Sequence, residues 1–133
     1  MSCPFINGQS IKRGMKVVLD TNFLVTAVRF KLDWFRELDE HHLYLIPDVE
    51  DELVKLSKGK GKDAEAARIA LVRLEHTDVL PQPSGARSTD DALLELAKEG
   101  YCVATQDAKL RVRIRKANGH VAYIRQRKQV VVE

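Results

Sequence analysis

Cysteine is nearly absent: Cys3 and Cys102 are the only two thiols in 133 residues. So few, so far apart, argue against a disulfide framework and against a zinc cluster built on thiolates. Histidine offers no substitute, because His41, His42, His76 and His120 share no ligand spacing and read as surface residues. No apolar run approaches the length of a membrane span, and the first residues lack the long apolar core of a signal peptide. The expectation is an intracellular, cytoplasmic protein with no membrane partner. The glycine-lysine stretch 57–62 lacks the spacing and the Ser or Thr of a phosphate-binding P-loop, and reads as a solvated linker. Internal repeats and low-complexity segments are missing too.

What remains is ordinary globular material, 44% hydrophobic and 31% charged, long enough for one domain with a real core. Residues 1–15, with Pro4, Gly8 and Gly14 and little periodicity, read as an N-terminal arm, and residues 16–133 as the domain. The net charge of +3 is unevenly spread. Residues 108–132 carry eight basic groups and no acidic ones, which leaves 14 basic against 18 acidic over residues 1–107. An acidic body with a basic C-terminal fifth suits a polyanionic partner on one side of the molecule.

Val17-Val18-Leu19 reads as a strand buried on both faces, and Asp20-Thr21-Asn22 ends it and caps a helix from Phe23 to Phe30. Strands are expected at 43–46, 79–80, 101–105, 121–124 and, at an edge, 129–132. Helices are expected at 32–41 (capped by Asp33), 48–56, 64–76, 88–98 and 107–116. In the helix 64–76 the expected core positions are Ala67, Ile69, Ala70, Leu71 and Leu74. Alternating strands and helices mean an α/β fold, a parallel or mixed sheet covered by helices.

Four carboxylates fall near one edge of such a sheet. Asp20 and Asp107 end strands, Asp90 opens a helix, and Glu52 lies one residue before the core position Leu53. Each has a structural alternative: Asp20, Asp90 and Asp107 serve as helix caps, and Glu52 pairs with Lys55 or Lys58. Together they point further. Like charges about 4 Å apart repel by roughly 1 kcal/mol in water and about 4 kcal/mol at an effective dielectric near 20. A convergent set therefore needs a cation or protons. Oxygen donors without His or Cys select Mg²⁺ or Mn²⁺. Asp91 competes with Asp90 for one position, but Asp90 shares a face with Leu93, Leu94 and Ala97, whereas Asp91 lines up with Glu95 and Lys98.

Four stretches carry a family resemblance: residues 17–22, Ile46-Pro47 leading to Glu52-Leu53, residues 90–97, and Ala104-Thr105-Gln106-Asp107. The chain resembles the PIN-domain ribonucleases over about residues 16–125. Its segment 109–116 and the strand after it look most like the PIN nucleases that process small-subunit ribosomal RNA and their archaeal relatives. The resemblance implies a three-layer α/β/α fold with a central parallel sheet, and an endoribonuclease using Mg²⁺ or Mn²⁺ at Asp20, Glu52, Asp90 and Asp107, with Asp91 as the alternative ligand. Thr21, Asn22 and Thr105 would support that site. Lys109, Arg111, Arg113, Arg115, Lys116, Arg125 and Arg127 would hold the RNA backbone. The implied partners are RNA (a ribosomal RNA precursor), a second copy of the chain, and an antitoxin or assembly factor. A toxin of a toxin–antitoxin pair and a weakly catalytic RNA-binding assembly factor remain as alternatives.

Overall fold

The computed structural model describes residues 14–133, together with the backbone of Phe5–Ile6 and Gln9–Ser10. Those two short segments, β1 and β2, pair antiparallel. The rest of the expected arm lies outside the described residues.

The domain is a six-stranded sheet in the order β5-β4-β3-β6-β7-β8. Its strands are β3 Lys16–Leu19, β4 His42–Leu45, β5 Asp78–Val79, β6 Cys102–Ala104, β7 His120–Arg125 and β8 Gln129–Val132. Neighbours pair in parallel except β7 with β8, which form an antiparallel hairpin at one edge. β3 and β6 lie centrally, and Val17, Val18, Leu19, Cys102, Val103 and Ala104 are fully buried. Continuous apolar runs such as these are what a sheet covered on both faces requires. The helices are α1 Thr21–Arg29, α2 Trp34–Glu37, α3 Pro47–Ser57, α4 Lys62–Arg73, α5 Thr89–Lys98 and α6 Ala108–Lys116. The α/β fold with a central, mostly parallel sheet is thus as the motifs implied. No helix of the described residues is long and apolar enough to cross a membrane.

Three local expectations are corrected. The helix expected over 32–41 is a single turn, α2, with Asp33 capping it through the Arg36 N–H at 3.3 Å. Ile69 is not in the core. It is 45% exposed, and Ala66 is buried with Ala67 and Ala70. The face that α4 turns inward is lined by alanines, which lets α1 and α3 pack closely against it. His41 is half-buried rather than superficial; its Nδ1 accepts from the Met15 N–H at 3.2 Å, and burial lowers its pKa.

Two helices end on left-handed residues other than glycine. α6 ends on Asn118 (φ 61), with the Gly119 N–H bonded to the Ile114 carbonyl at 2.9 Å. A Cβ on Gly119 would lie 2.7 Å from Cγ2 of the fully buried Ile114 and 3.2 Å from the Ala97 Cβ. Gly119→Ala is therefore expected to destabilise the domain by roughly 1–3 kcal/mol, read as a lower urea midpoint at unchanged slope. α1 ends in the same way, but with Lys31 (φ 58) at the left-handed position that glycine usually fills. The Lys31 N–H bonds the Val28 carbonyl at 3.0 Å and the Leu32 N–H bonds that of Ala27 at 2.8 Å.

Candidate active site

The carboxyl ends of β3 and β6 lie side by side, because Leu19 pairs with Ala104 and the Asp20 N–H bonds the Ala104 carbonyl at 2.9 Å. That register brings Asp20 and Thr105 together across 85 residues of sequence. The Thr105 hydroxyl, fully buried, donates to Asp20 Oδ2 at 2.7 Å. Asp20 Oδ1 accepts from the Thr21 N–H at 2.8 Å, so the carboxylate also caps α1. Asn22, in the first turn of α1, accepts the Gln106 N–H on Oδ1 at 2.9 Å and lies 3.2 Å from the Thr105 hydroxyl. The Asp107 N–H in turn donates to that hydroxyl at 3.2 Å. Asp20, Asn22, Thr105 and Asp107 thus form one hydrogen-bonded unit that clamps the two strand ends.

Asp20, Glu52 and Asp90 line a cleft of about 390 Å³, with Thr21, Asn22, Thr26, Arg29 and Asp63. Asp90 is held there by a tie between elements. Asp48 Oδ2, at the start of α3, accepts from Gln82 Nε2 at 2.8 Å and from the Thr89 hydroxyl at 3.4 Å, which fixes the first turn of α5 beside α3. Burial pushes the Asp20 carboxyl from an ordinary 3.8 up to about 6, against its Thr105 and Thr21 hydrogen bonds, and the charges of Glu52 and Asp90 add to the rise. Burial also raises Asp90, with the charge of Asp107 next in weight. These carboxylates therefore feel one another across the cleft.

Asp107 is the outlier. Its Oδ1 caps α6 through the Lys109 and Leu110 N–H groups at 2.9 and 3.2 Å. It does not line the cleft wall, although its charge reaches Asp90. Asp91 faces elsewhere, in an ion pair with Arg113 at 3.3 Å. Glu52 is exposed and, among the described residues, forms no ion pair with Lys55 or Lys58.

The donors fit a hard dication in kind. All are oxygens, the cleft is acidic, and the Thr21 hydroxyl on its wall is buried with no hydrogen-bond partner. In distance they are not drawn together: among the described residues no three His, Cys, Asp or Glu side chains stand close enough to share an ion as placed.

The expected RNA-binding cations of α6 are largely engaged within the chain. Arg111 stacks on Tyr123, its guanidinium carbon 4.4 Å from the ring centre, and bonds the Thr105 carbonyl at 3.3 Å. Arg115 pairs with Glu133, which also accepts from the Tyr123 hydroxyl at 3.0 Å. Lys109, Lys116 and Arg125 are exposed, whereas Arg127 lies over the Phe30 ring at 5.2 Å. Sequence reasoning missed Thr26, Arg29 and Asp63 as cleft residues. Asn22, Thr26 and Arg29 recur at spacings of four and three along α1, so the helical period carried a signal for the first two.

The PIN like domain family matches residues 17–127. The chain belongs to that family. Ribonuclease VapC4 of Methanocaldococcus jannaschii is 29% identical over 123 residues, 85% of this chain and 92% of that protein. Ribonuclease VapC9 of Archaeoglobus fulgidus is 33% identical over 121 residues, 87% of each. Among solved structures, the PIN domain endonuclease Utp24 superposes with a TM-score of 0.71 at 28% identity, covering 89% of this chain and 90% of that one. The four motifs that carried the resemblance all fall within the matched span.

Proposed function

We propose that this PIN domain is a divalent-metal-dependent endoribonuclease that hydrolyses RNA phosphodiesters at the cleft between α1, α3 and α5. The observation that carries the reading is that Asp20, Glu52 and Asp90 line one cleft, with Asp20 buried and held in the hydrogen-bonded unit that joins the ends of β3 and β6. An acidic lining whose donors are all oxygens suits Mg²⁺ or Mn²⁺. When bound, such an ion orients a water, lowers its pKa and offsets the negative charge that builds on the phosphate. Asp20 is assigned to direct contact, as is Asp107 through the oxygen that does not cap α6, and Glu52 and Asp90 to a second ion or to water-mediated contact. Thr105 and Asn22 hold the Asp20 carboxylate and the β6 end in place, and Thr21 offers a free hydroxyl. The ribonuclease names of the two relatives and the endonuclease name of the structural neighbour support the reaction class.

The test is cleavage of single-stranded RNA after chelation and after return of Mn²⁺. Activity is expected only with the ion. Asp90→Asn is expected to lower the rate by about 10- to 100-fold, the range for loss of a metal site's supporting contacts. Asp91→Asn, which breaks only the exposed pair with Arg113, should change it little. Equal losses in both variants would reverse that assignment.

The finer reading is a ribosomal RNA precursor as substrate, which draws on the basic C-terminal fifth. A toxin-type ribonuclease with an antitoxin partner is the second reading, favoured by the two relatives named VapC. Growth arrest on expression, abolished by Asp20→Asn, supports the second; accumulation of an uncut rRNA precursor on depletion supports the first.

A further inference from the structure

Beside the acidic cleft lies a second groove of about 440 Å³, and Arg29 lines both. Its character is opposite. The floor is apolar, with Phe30 and Ile69 exposed at 37% and 45%, and Lys31 and Lys62 flank it against one acid, Glu65. Arg127 reaches across from the β7–β8 turn to lie over the Phe30 ring. Resting on the reading of the cleft as an RNA-cleaving site, we infer that this groove binds a nucleotide flanking the scissile bond. Its base stacks on Phe30, and its phosphate is held by Arg29 and Lys31.

Three observations converge on that occupant. The first is continuity: α1 carries Asp20 at its N-cap and Arg29 in its last turn, so one strand of RNA crossing the cleft along α1 arrives at the groove. Nine residues of helix rise about 14 Å, which sets the Arg29 backbone well along α1 from Asp20, where the cleft and the groove share its side chain, and suits it to a phosphate away from the scissile one. The second is chemistry. An exposed aromatic ring among cations is the arrangement that holds single-stranded nucleic acid, since any base has a face to stack and the backbone needs positive charge. Arg29 is paired with Asp63 at 2.9 Å, but both side chains are about half exposed, a setting in which an ion pair is weak and open to exchange.

The third is backbone conformation. Lys31 (φ 58), next to Phe30 in sequence, and Arg127 (φ 59), which lies over its ring, both hold the left-handed region without being glycine. Arg127 shares its turn with Gln126 (φ 56), where asparagine-glycine is the usual pair. Cations thus stand at two positions where glycine or asparagine would be the less strained choice, and both lie beside the groove.

The experiment is equilibrium binding of a fluorescent single-stranded RNA decamer and its abasic counterpart, in chelator so that the strand stays whole. Phe30→Ala should weaken binding of the intact strand about tenfold, in keeping with loss of one base stack, and leave the abasic strand unaffected. Lys31→Gly should raise the thermal midpoint while weakening RNA binding, and reduce the slope of log affinity against log salt by about 0.7. Asp63→Asn, which frees Arg29, should tighten binding. Wild-type affinity in both Phe30→Ala and Lys31→Gly would overturn the proposal, as would equal losses on intact and abasic strands. A shift from dimer to monomer in Phe30→Ala would overturn it in favour of a second copy of the chain. Because no turnover is read, an inactive cleft leaves this result intact. Conversely, loss of cleavage in Asp20→Asn beside unchanged groove variants would sink the groove alone.

Discussion

Asp20→Asn is expected to abolish Mn²⁺-dependent RNA cleavage and, in the metal-free protein at pH 7, to raise stability. Both effects come from one carboxylate. Asp20 is 6% exposed, and burial with the charges of Glu52 and Asp90 lifts its pKa to about 6 from 3.8. A carboxyl raised in the fold favours the folded state while protonated, so that contribution is full below about pH 4 and is lost as pH rises through about 6. The loss amounts to about 3 kcal/mol on the scale of 1.4 kcal/mol per unit. Asparagine removes the charge and keeps the shape. The network can accommodate it: the Thr105 hydroxyl turns its proton to Asn22 Oδ1, 3.2 Å away, and accepts from the new amide, while the amide oxygen still takes the Thr21 N–H. Thermal unfolding of wild type in chelator should thus fall between about pH 4 and 7, and the variant's curve should be flatter. With the ion restored, cleavage should drop at least about a hundredfold, the upper end for disturbing a metal's supporting shell. Cleavage at wild-type rate would remove Asp20 from the site altogether.

Much of the frame behind that prediction is legible in the residues. β3 and β6 announce themselves as unbroken apolar runs, and Asp20, Asp33 and Asp107 as caps, because these are local properties of a few adjacent side chains. That Asp20, Glu52 and Asp90 line one cleft follows from parallel strands delivering their ends to one edge. What stayed hidden depends on distant partners. The α6 arginines read as a free cationic face, yet Tyr123 and Glu133, supplied by β7 and the end of the chain, take up Arg111 and Arg115. Ile69 fits a helical core pattern as well as Ala66 does. Only the close approach of α1 and α3 to α4 decides that the small residue goes inside. Arg29 and Asp63 look like scattered surface charge until α1 and α4 pack side by side and pair them at the cleft mouth.

Thr105→Val is expected to cost both stability and activity, by separable routes. The hydroxyl is fully buried, donates to Asp20 Oδ2 at 2.7 Å and accepts the Asp107 N–H at 3.2 Å. Valine fills the same volume, so no cavity forms and the loss is purely polar. A buried acceptor stripped of its donor costs about 1–3 kcal/mol. Asp20 should then titrate still higher, since the Thr105 bond is the largest influence holding its pKa down. Protons then compete better with the metal, so the pH of half-maximal cleavage at limiting Mn²⁺ should move upward. The stability difference from wild type should narrow below about pH 6, where Asp20 is protonated and asks less of its donor. Thr105→Ser, which restores the hydroxyl, should recover the pH profile. The decisive comparison is a double-mutant cycle: with Asp20→Asn already in place, Thr105→Val should cost clearly less than in wild type, because the charge it served is gone. Additive effects of the two changes would mean that Thr105 acts on the β6 end alone, and that the bond across the strand ends contributes nothing to how Asp20 holds its charge.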